Sequence, residues 1–246
     1  MTTTLFFAFV VLMTTVVVAL IARYLNRRIA FGVLAGLLIW FAYAGLMGYF
    51  GVVRNTTIRP PGITFIVGPV VAFLLLFILR SSWRTGIALA FPLWIILATQ
   101  TFRVGVELFL HQLWIDGLVP KMLTFNGANV DIFIGASAPV AAWLSTRGRM
   151  GIKLALTWNV LGLLALANVV ARAVLTAPGP LNLIHAEIPN LMMGTFPFLL
   201  IPGFFVPLAV VLHVLAVQGI VSRLRLATTS RGHARYESVS ASRVTN

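Results

Sequence analysis

Apolar runs of membrane-crossing length alternate along this chain with short basic or proline-rich links. They fall at about 4–22, 30–50, 63–80, 92–115, 129–146, 152–175 and 190–220. A helix needs about 20 apolar residues to cross the hydrocarbon layer. None of the runs shows the every-other-residue polarity of a membrane strand. Lipid offers no water to unpaired backbone groups, so each run must bond internally. The pattern predicts an all-α fold, a polytopic membrane helix bundle of about seven transmembrane helices over residues 1–222. A basic tail, 223–246, rich in Ser, Thr and Arg, is expected to be disordered.

Local punctuation supports the division. Pro60 and Pro61 lie in the link after the second run, Pro92 sits where the fourth starts, and Pro178, Gly179 and Pro180 precede the seventh. Gly32 and Gly36 in the second run permit close helix contact. Residues 84–91 either extend the fourth helix or form an interfacial turn. Pro197, Pro202 and Pro207 in the seventh run each remove a backbone donor and favour a kink. The first run has no basic segment before it and no clear small-residue cleavage site after it, which predicts a retained helix. No internal repeat is evident.

Charge orients the bundle. With the N-terminus outside, the inner links and tail hold Arg23, Arg27, Arg28, Arg80, Arg84, Arg147, Arg149, Lys153, Arg223, Arg225, Arg231, Arg235 and Arg243. The outer links hold only Arg54, Arg59 and Lys121. That asymmetry is what the positive-inside rule demands, and it places the C-terminus inside. It also accounts for the net charge of +13 without nucleic acid, for which no recognition motif is present. Hydrophobic residues make up 60% of the chain and charged ones 9%, against about 25% charged in a soluble domain. The absence of cysteine excludes disulfides and thiolate metal sites.

The few charges inside apolar runs carry the functional question, because charge in a membrane is expensive. Gln100, Arg103, Glu107 and His111 fall within about 80° of one another on the fourth helix and form a stripe ~16 Å long. Asn168 and Arg172 share a face of the sixth helix. Asn129 and Asp131 open the fifth. These residues are the candidate substrate-binding set, expected to converge in a cavity in the outer half of the bundle. Arg103, Glu107, Asp131 and Arg172 balance in charge, so a closed ion-pair network that sets helix register is the competing reading. Asn159 is expected in a separate contact.

His111 with Glu107 or Asp131 raises metal or acid–base chemistry. No paired metal-ligand motif is present, however, and no metal site is assigned. Cofactors stay open. His213 reads as a packed or interfacial histidine near the inner end of the seventh helix, and His233 as a solvated tail residue. The depth difference between His111 and His213 argues against a haem between them. Lys121 and Lys153 lie at loops or helix ends, so no lysine is placed for a retinal Schiff base. Trp83 and Trp114 read as interface anchors.

The run Phe102-Arg103-x-x-x-Glu107, then Thr124-Phe125-Asn126-Gly127-x-Asn129-x-Asp131-Ile132, Gly135 and Ala138-Pro139 resembles a pattern of uncharacterised multi-pass bacterial membrane proteins. The resemblance covers residues 100–168. It implies a bacterial inner membrane and no activity. Three function classes follow: a transporter or permeation protein for a small molecule or ion; a membrane-embedded enzyme or redox protein using His111; and a non-catalytic sensor or assembly component. The lipid bilayer is the one partner implied, and oligomeric state is open. If the stripe is functional, substitution of Arg103 or Glu107 should abolish activity while folded protein still accumulates.

Overall fold

The computed structural model describes residues 1–179 and 181–225. It is all-α, with no strand among the described residues. The helices are α1 (Thr2–Tyr24), α2 (Arg27–Tyr49), α3 (Thr64–Leu79), α4 (Ser81–Ala90), α5 (Leu93–Thr99), α6 (Phe102–Ile115), α7 (Asp131–Leu144), α8 (Gly148–Thr176) and α9 (Val206–Val244, described here through Arg225). Five segments are long and apolar enough to cross a membrane: α1, α2, Leu93–Ile115, α8 and Ile201–Arg225. A sixth is obtained if α3 and α4, bent by 82° at Arg80, count together. Long apolar helices of this kind mark an integral membrane protein. The expected tail falls, from residue 226 onward, outside the described residues.

Three segments depart from the expected helices, each for a local reason. Residues 84–90, with Phe91 capping them in extended conformation, belong to α4, an amphipathic helix turned off the end of α3. Its Arg80 guanidinium lies 5.5 Å from the Trp83 ring, and Thr85 accepts from Gln218 on α9. The fourth run is broken between α5 and α6. At Gln100 and Thr101 the backbone tightens to i→i−3 bonds, and the Thr99 and Thr101 hydroxyls turn back to the Ile95 and Ala98 carbonyls, a contact that bends helices. The seventh run is not helical from residue 190. A 3-10 turn at Met192–Gly194 leads into a π-helical stretch, Ile201–Phe205, and the α-helix starts only at Val206.

Prolines explain much of the packing. Pro69 in α3 cannot donate to the Phe65 carbonyl four residues back, and Pro207 cannot donate to Gly203. Both carbonyls are taken by α2: the Tyr43 hydroxyl donates to Phe65 O at 3.0 Å, and the Trp40 indole to Gly203 O at 2.9 Å. The two rings stack with centroids 5.5 Å apart. A helix with almost no buried face of its own thus satisfies the backbone of two neighbours, as an apolar surrounding requires. Nearby, Phe6, Phe102, Phe198, Phe204 and Phe205 form an aromatic core. A second apolar cluster of Ala88, Leu97, Leu215 and Ile220 closes the opposite end of the bundle. Trp40→Phe keeps an aromatic side chain, smaller by one ring, and removes the donor. The expected cost is about 0.6–2 kcal/mol, the range for interhelical hydrogen bonds. Thermal unfolding of the purified protein in detergent checks it.

Candidate functional site

The centre of the bundle is organised by one guanidinium. Arg103, near the middle of the Leu93–Ile115 span, is 1% exposed. Its Nε donates to Asp131 Oδ2 at 2.7 Å and its Nη2 to Asp131 Oδ1, a bidentate pair. Nη2 also reaches the Gly162 carbonyl of α8 at 3.3 Å, and Nη1 lies 2.7 Å from His213 Nε2 of α9. Arg103 therefore ties α6 to α7, α8 and α9 at once.

Its partners are fixed in turn. His213 Nδ1 is 2.9 Å from Asn159 Oδ1, and Asn159 Nδ2 donates to the Ala155 carbonyl. That leaves Asn159 Oδ1 as acceptor, so His213 donates from Nδ1 and accepts from Arg103 at Nε2. Only the neutral Nδ1–H tautomer satisfies both contacts. On the other side, Asn129 Oδ1 accepts from the Asp131 backbone N–H, while its Nδ2 donates to the Leu123 carbonyl and, at 2.7 Å, to Glu107 Oε1. A continuous chain of polar contacts runs from Asn159 through His213, Arg103, Asp131 and Asn129 to Glu107. Glu107 Oε2, at its end, is buried and has no partner.

Two glycines make the approach feasible. A Cβ on Gly135 of α7 would stand 2.8 Å from the Val104 backbone nitrogen and 3.1 Å from Arg103 Cβ, so a side chain there would push α7 off α6. A Cβ on Gly162 would run into the His213 ring. Position 135 lies one helical turn after Asp131, which is how the carboxylate reaches the guanidinium.

The arrangement differs from the expected one in membership and in depth. Arg172 does not join. Its Nε bonds Asn168 Oδ1 on the same helix, while Asn168 Nδ2 holds the Ala128 carbonyl. His111 stacks on Phe125 at 4.5 Å, beside Trp114, with Nδ1 unpartnered. Gln100 leaves the stripe to donate to the Ala209 carbonyl. His213 and Asn159 were placed elsewhere by the sequence reading, yet complete the network. The cluster lies near the middle of Leu93–Ile115, α8 and Ile201–Arg225, which brings in Asn159 and His213. The cause is α7, a 14-residue helix of about 21 Å, short of a ~30 Å hydrocarbon layer. The preceding segment folds inward, with Thr124 and Asn129 fully or nearly buried, and starts α7 deep in the bundle. Arg103, Asn159 and His213 each lie near the middle of an observed helical segment, Leu93–Ile115, α8 and Ile201–Arg225, a match of depth that the apolar runs alone do not show. No group of three or more His, Asp or Glu able to hold a metal occurs among the described residues.

Beside the network lies a pocket of about 940 Å³ between α3, α6, α8 and the start of α9. Its walls are apolar, with Val67, Leu166, Val170, Phe205 and Val206 among them. Arg103, Glu107 and Asp131 are its charged members at depth. Residues of the α2–α3 and α8–α9 links, including Asn55 and Asn190, surround one end. The cluster of Ala88, Leu97, Leu215 and Ile220 fills the bundle beyond the other.

Fold and site together define an all-α bundle of long apolar helices, of the kind an integral membrane protein has, with a polar network and an apolar pocket within it. The chain belongs to a family described as Domain of unknown function (DUF8737), whose model matches residues 60–221. That stretch contains every member of the network and leaves out α1 and α2. No curated protein and no solved structure matches the chain.

The network makes a prediction about stability. Arg103→Leu strips Asp131 of its countercharge and His213 of its donor, and is expected to destabilise by about 3–5 kcal/mol, as for a broken buried pair. Arg103→Leu with Asp131→Leu removes both charges and should recover part of that loss. The yield of monodisperse protein in detergent, with its unfolding temperature, measures both.

Proposed function

We propose that this chain is a transporter-class membrane protein that takes a small, largely apolar molecule into the pocket between α3, α6, α8 and α9. One observation carries the reading: an intramembrane pocket of about 940 Å³ has in its wall a buried carboxyl oxygen with no partner. Apolar pockets of this size with a few placed polar groups are the usual form of a small-molecule site. A buried carboxyl is costly unless something satisfies it. Arg103 does not do so: its Nε and Nη2 are engaged on Asp131 and Gly162, and its Nη1 on His213. The network is thus the frame, and Glu107 is the group left for an occupant. The π-helical stretch at Ile201–Phe205, which borders the pocket and carries Pro202, is the segment suited to move. Small molecules released from purified wild-type protein and from Glu107→Gln should differ by a species that only the first retains. Uptake of that species into proteoliposomes then reads transport. Identical spectra would remove the basis for the proposal.

The same reading takes the protein to be a bacterial inner-membrane protein with seven crossings, the N-terminus outside and the C-terminus inside. Loop charge supports the orientation. In this topology α3 crosses and α4 lies along the inner surface. The inward-folded segment 116–130 and α7 together make the fifth crossing. The chain's lack of cysteine makes labelling direct. In right-side-out vesicles an impermeant maleimide should label Asn55→Cys and Asn182→Cys, and spare Ser82→Cys and Thr146→Cys. Labelling of Thr146→Cys from outside would mean that α7 does not complete a crossing.

A further inference from the structure

The pocket has a chemical polarity that narrows its occupant. Every buried donor atom close to Glu107 already has a partner: Arg103 engages four of its five N–H groups, on Asp131, His213 and Gly162, and the Asn129 amide serves Glu107 and Leu123. Asn190, nearer the link end, donates one of its two amide hydrogens to the Ala173 carbonyl. What remains unpartnered in the pocket lining is acceptor oxygen: Glu107 Oε2 at depth, from a residue 1% exposed, and Asn190 Oδ1, from one 3% exposed. Among these buried members of the lining every nitrogen has a partner and the two unmet atoms are oxygens, so a group with several N–H donors would meet acceptors it needs, whereas a carboxylate, sulfonate or phosphate would bring further acceptors to them.

Resting on the transport reading above, we propose that the occupant is a lipophilic amine: a single apolar body with an ammonium head that donates to Glu107 Oε2. The body lies against Val67, Leu166 and Val170. A free amine is the source favoured over a phosphatidylethanolamine headgroup, because the phosphate beside that ammonium would bring further acceptor oxygens in beside Asp131 and Glu107.

Matched probes test this. Octylamine, octan-1-ol and octanoate share a chain and differ in head. Their affinities are read from the shift in unfolding temperature of the full chain in phosphatidylcholine nanodiscs, for wild-type, Glu107→Gln and the pocket-narrowing Ala167→Trp. Octylamine should bind wild-type about tenfold or more tightly than octan-1-ol, the worth of one charge-assisted hydrogen bond. Octanoate should be weakest. Glu107→Gln should erase the amine's advantage, and Ala167→Trp should weaken amine and alcohol alike. Equal binding of amine and alcohol, or preference for octanoate, overturns the amine assignment while the pocket reading stands, provided Ala167→Trp still blocks. Failure of all three probes, with no effect of Ala167→Trp, sinks both. Should Glu107→Gln not fold, the ranking of the three heads on wild-type protein decides alone. Competition with octylamine by added phosphatidylethanolamine would assign the site to a lipid headgroup and overturn the free amine.

Discussion

A guanidinium in a dry interior must find an acceptor for each donor it can, and the architecture of this bundle depends on how Arg103 does so. No single helix can supply those acceptors. Asp131 comes from α7, a carbonyl from α8 and an imidazole nitrogen from α9. Each demand fixes a backbone position. α7 must begin deep, so the segment before it folds into the bundle. α7 and α8 must come close, so glycine stands at 135 and 162. His213 must present Nε2 as an acceptor, so Asn159 holds its other nitrogen. Removing the charge alone would leave the rest unsatisfied, which is why a buried pair specifies register even where it adds little net stability.

The same accounting extends to the backbone. Prolines at 69 and 207 break the internal bonding of α3 and α9 on the two flanks of the pocket, and α2 repairs both with Tyr43 and Trp40. α3, capped by the sharp turn into α4, and the π-helical entry to α9 therefore keep irregular geometry without exposing carbonyls to lipid. Irregular backbone beside an intramembrane cavity is tolerated where protein covers it, and here α2 is the cover. The pocket exists because these segments do not close on one another as straight helices would.

Much of this is legible in the sequence, and the rest is not for identifiable reasons. Hydropathy alone locates the apolar helices, because their composition leaves no other solution in lipid. Helical periodicity puts Arg103 and Glu107 on one face, and Asp131 is recognisable as a partner. Periodicity fails where the helix itself breaks. Gln100 belongs to the stripe only if α5 and α6 are continuous, and two threonine hydroxyls and the tightened backbone at 100–101 prevent that. Depth fails at Asp131 and His213. A uniform membrane crossing from Asn129 puts the carboxylate near the surface, whereas the short α7 starts inside. Counting α9 from residue 190 pushes His213 toward the inner end, whereas the irregular stretch before Val206 moves it to the centre. Arg172 illustrates the opposite error: charge balance recruited it, but its neighbour four residues back is the nearer acceptor.

Arg103 and Glu107 share a helix face one turn apart, yet their surroundings give them different work. Arg103 is met from three other helices and has a partner on each of its nitrogens. Glu107 is held by a single amide and keeps one oxygen unmet beside an apolar space. A merely structural network has a simple remedy for that oxygen: leucine at 107 would remove it and leave the Asn129 amide on the Leu123 carbonyl. Retaining a carboxyl there costs stability that nothing within the described fold returns. A group that satisfies it from outside the chain returns that cost on binding, and does so only for molecules carrying donors, which turns an energetic fault of the empty bundle into its means of selection.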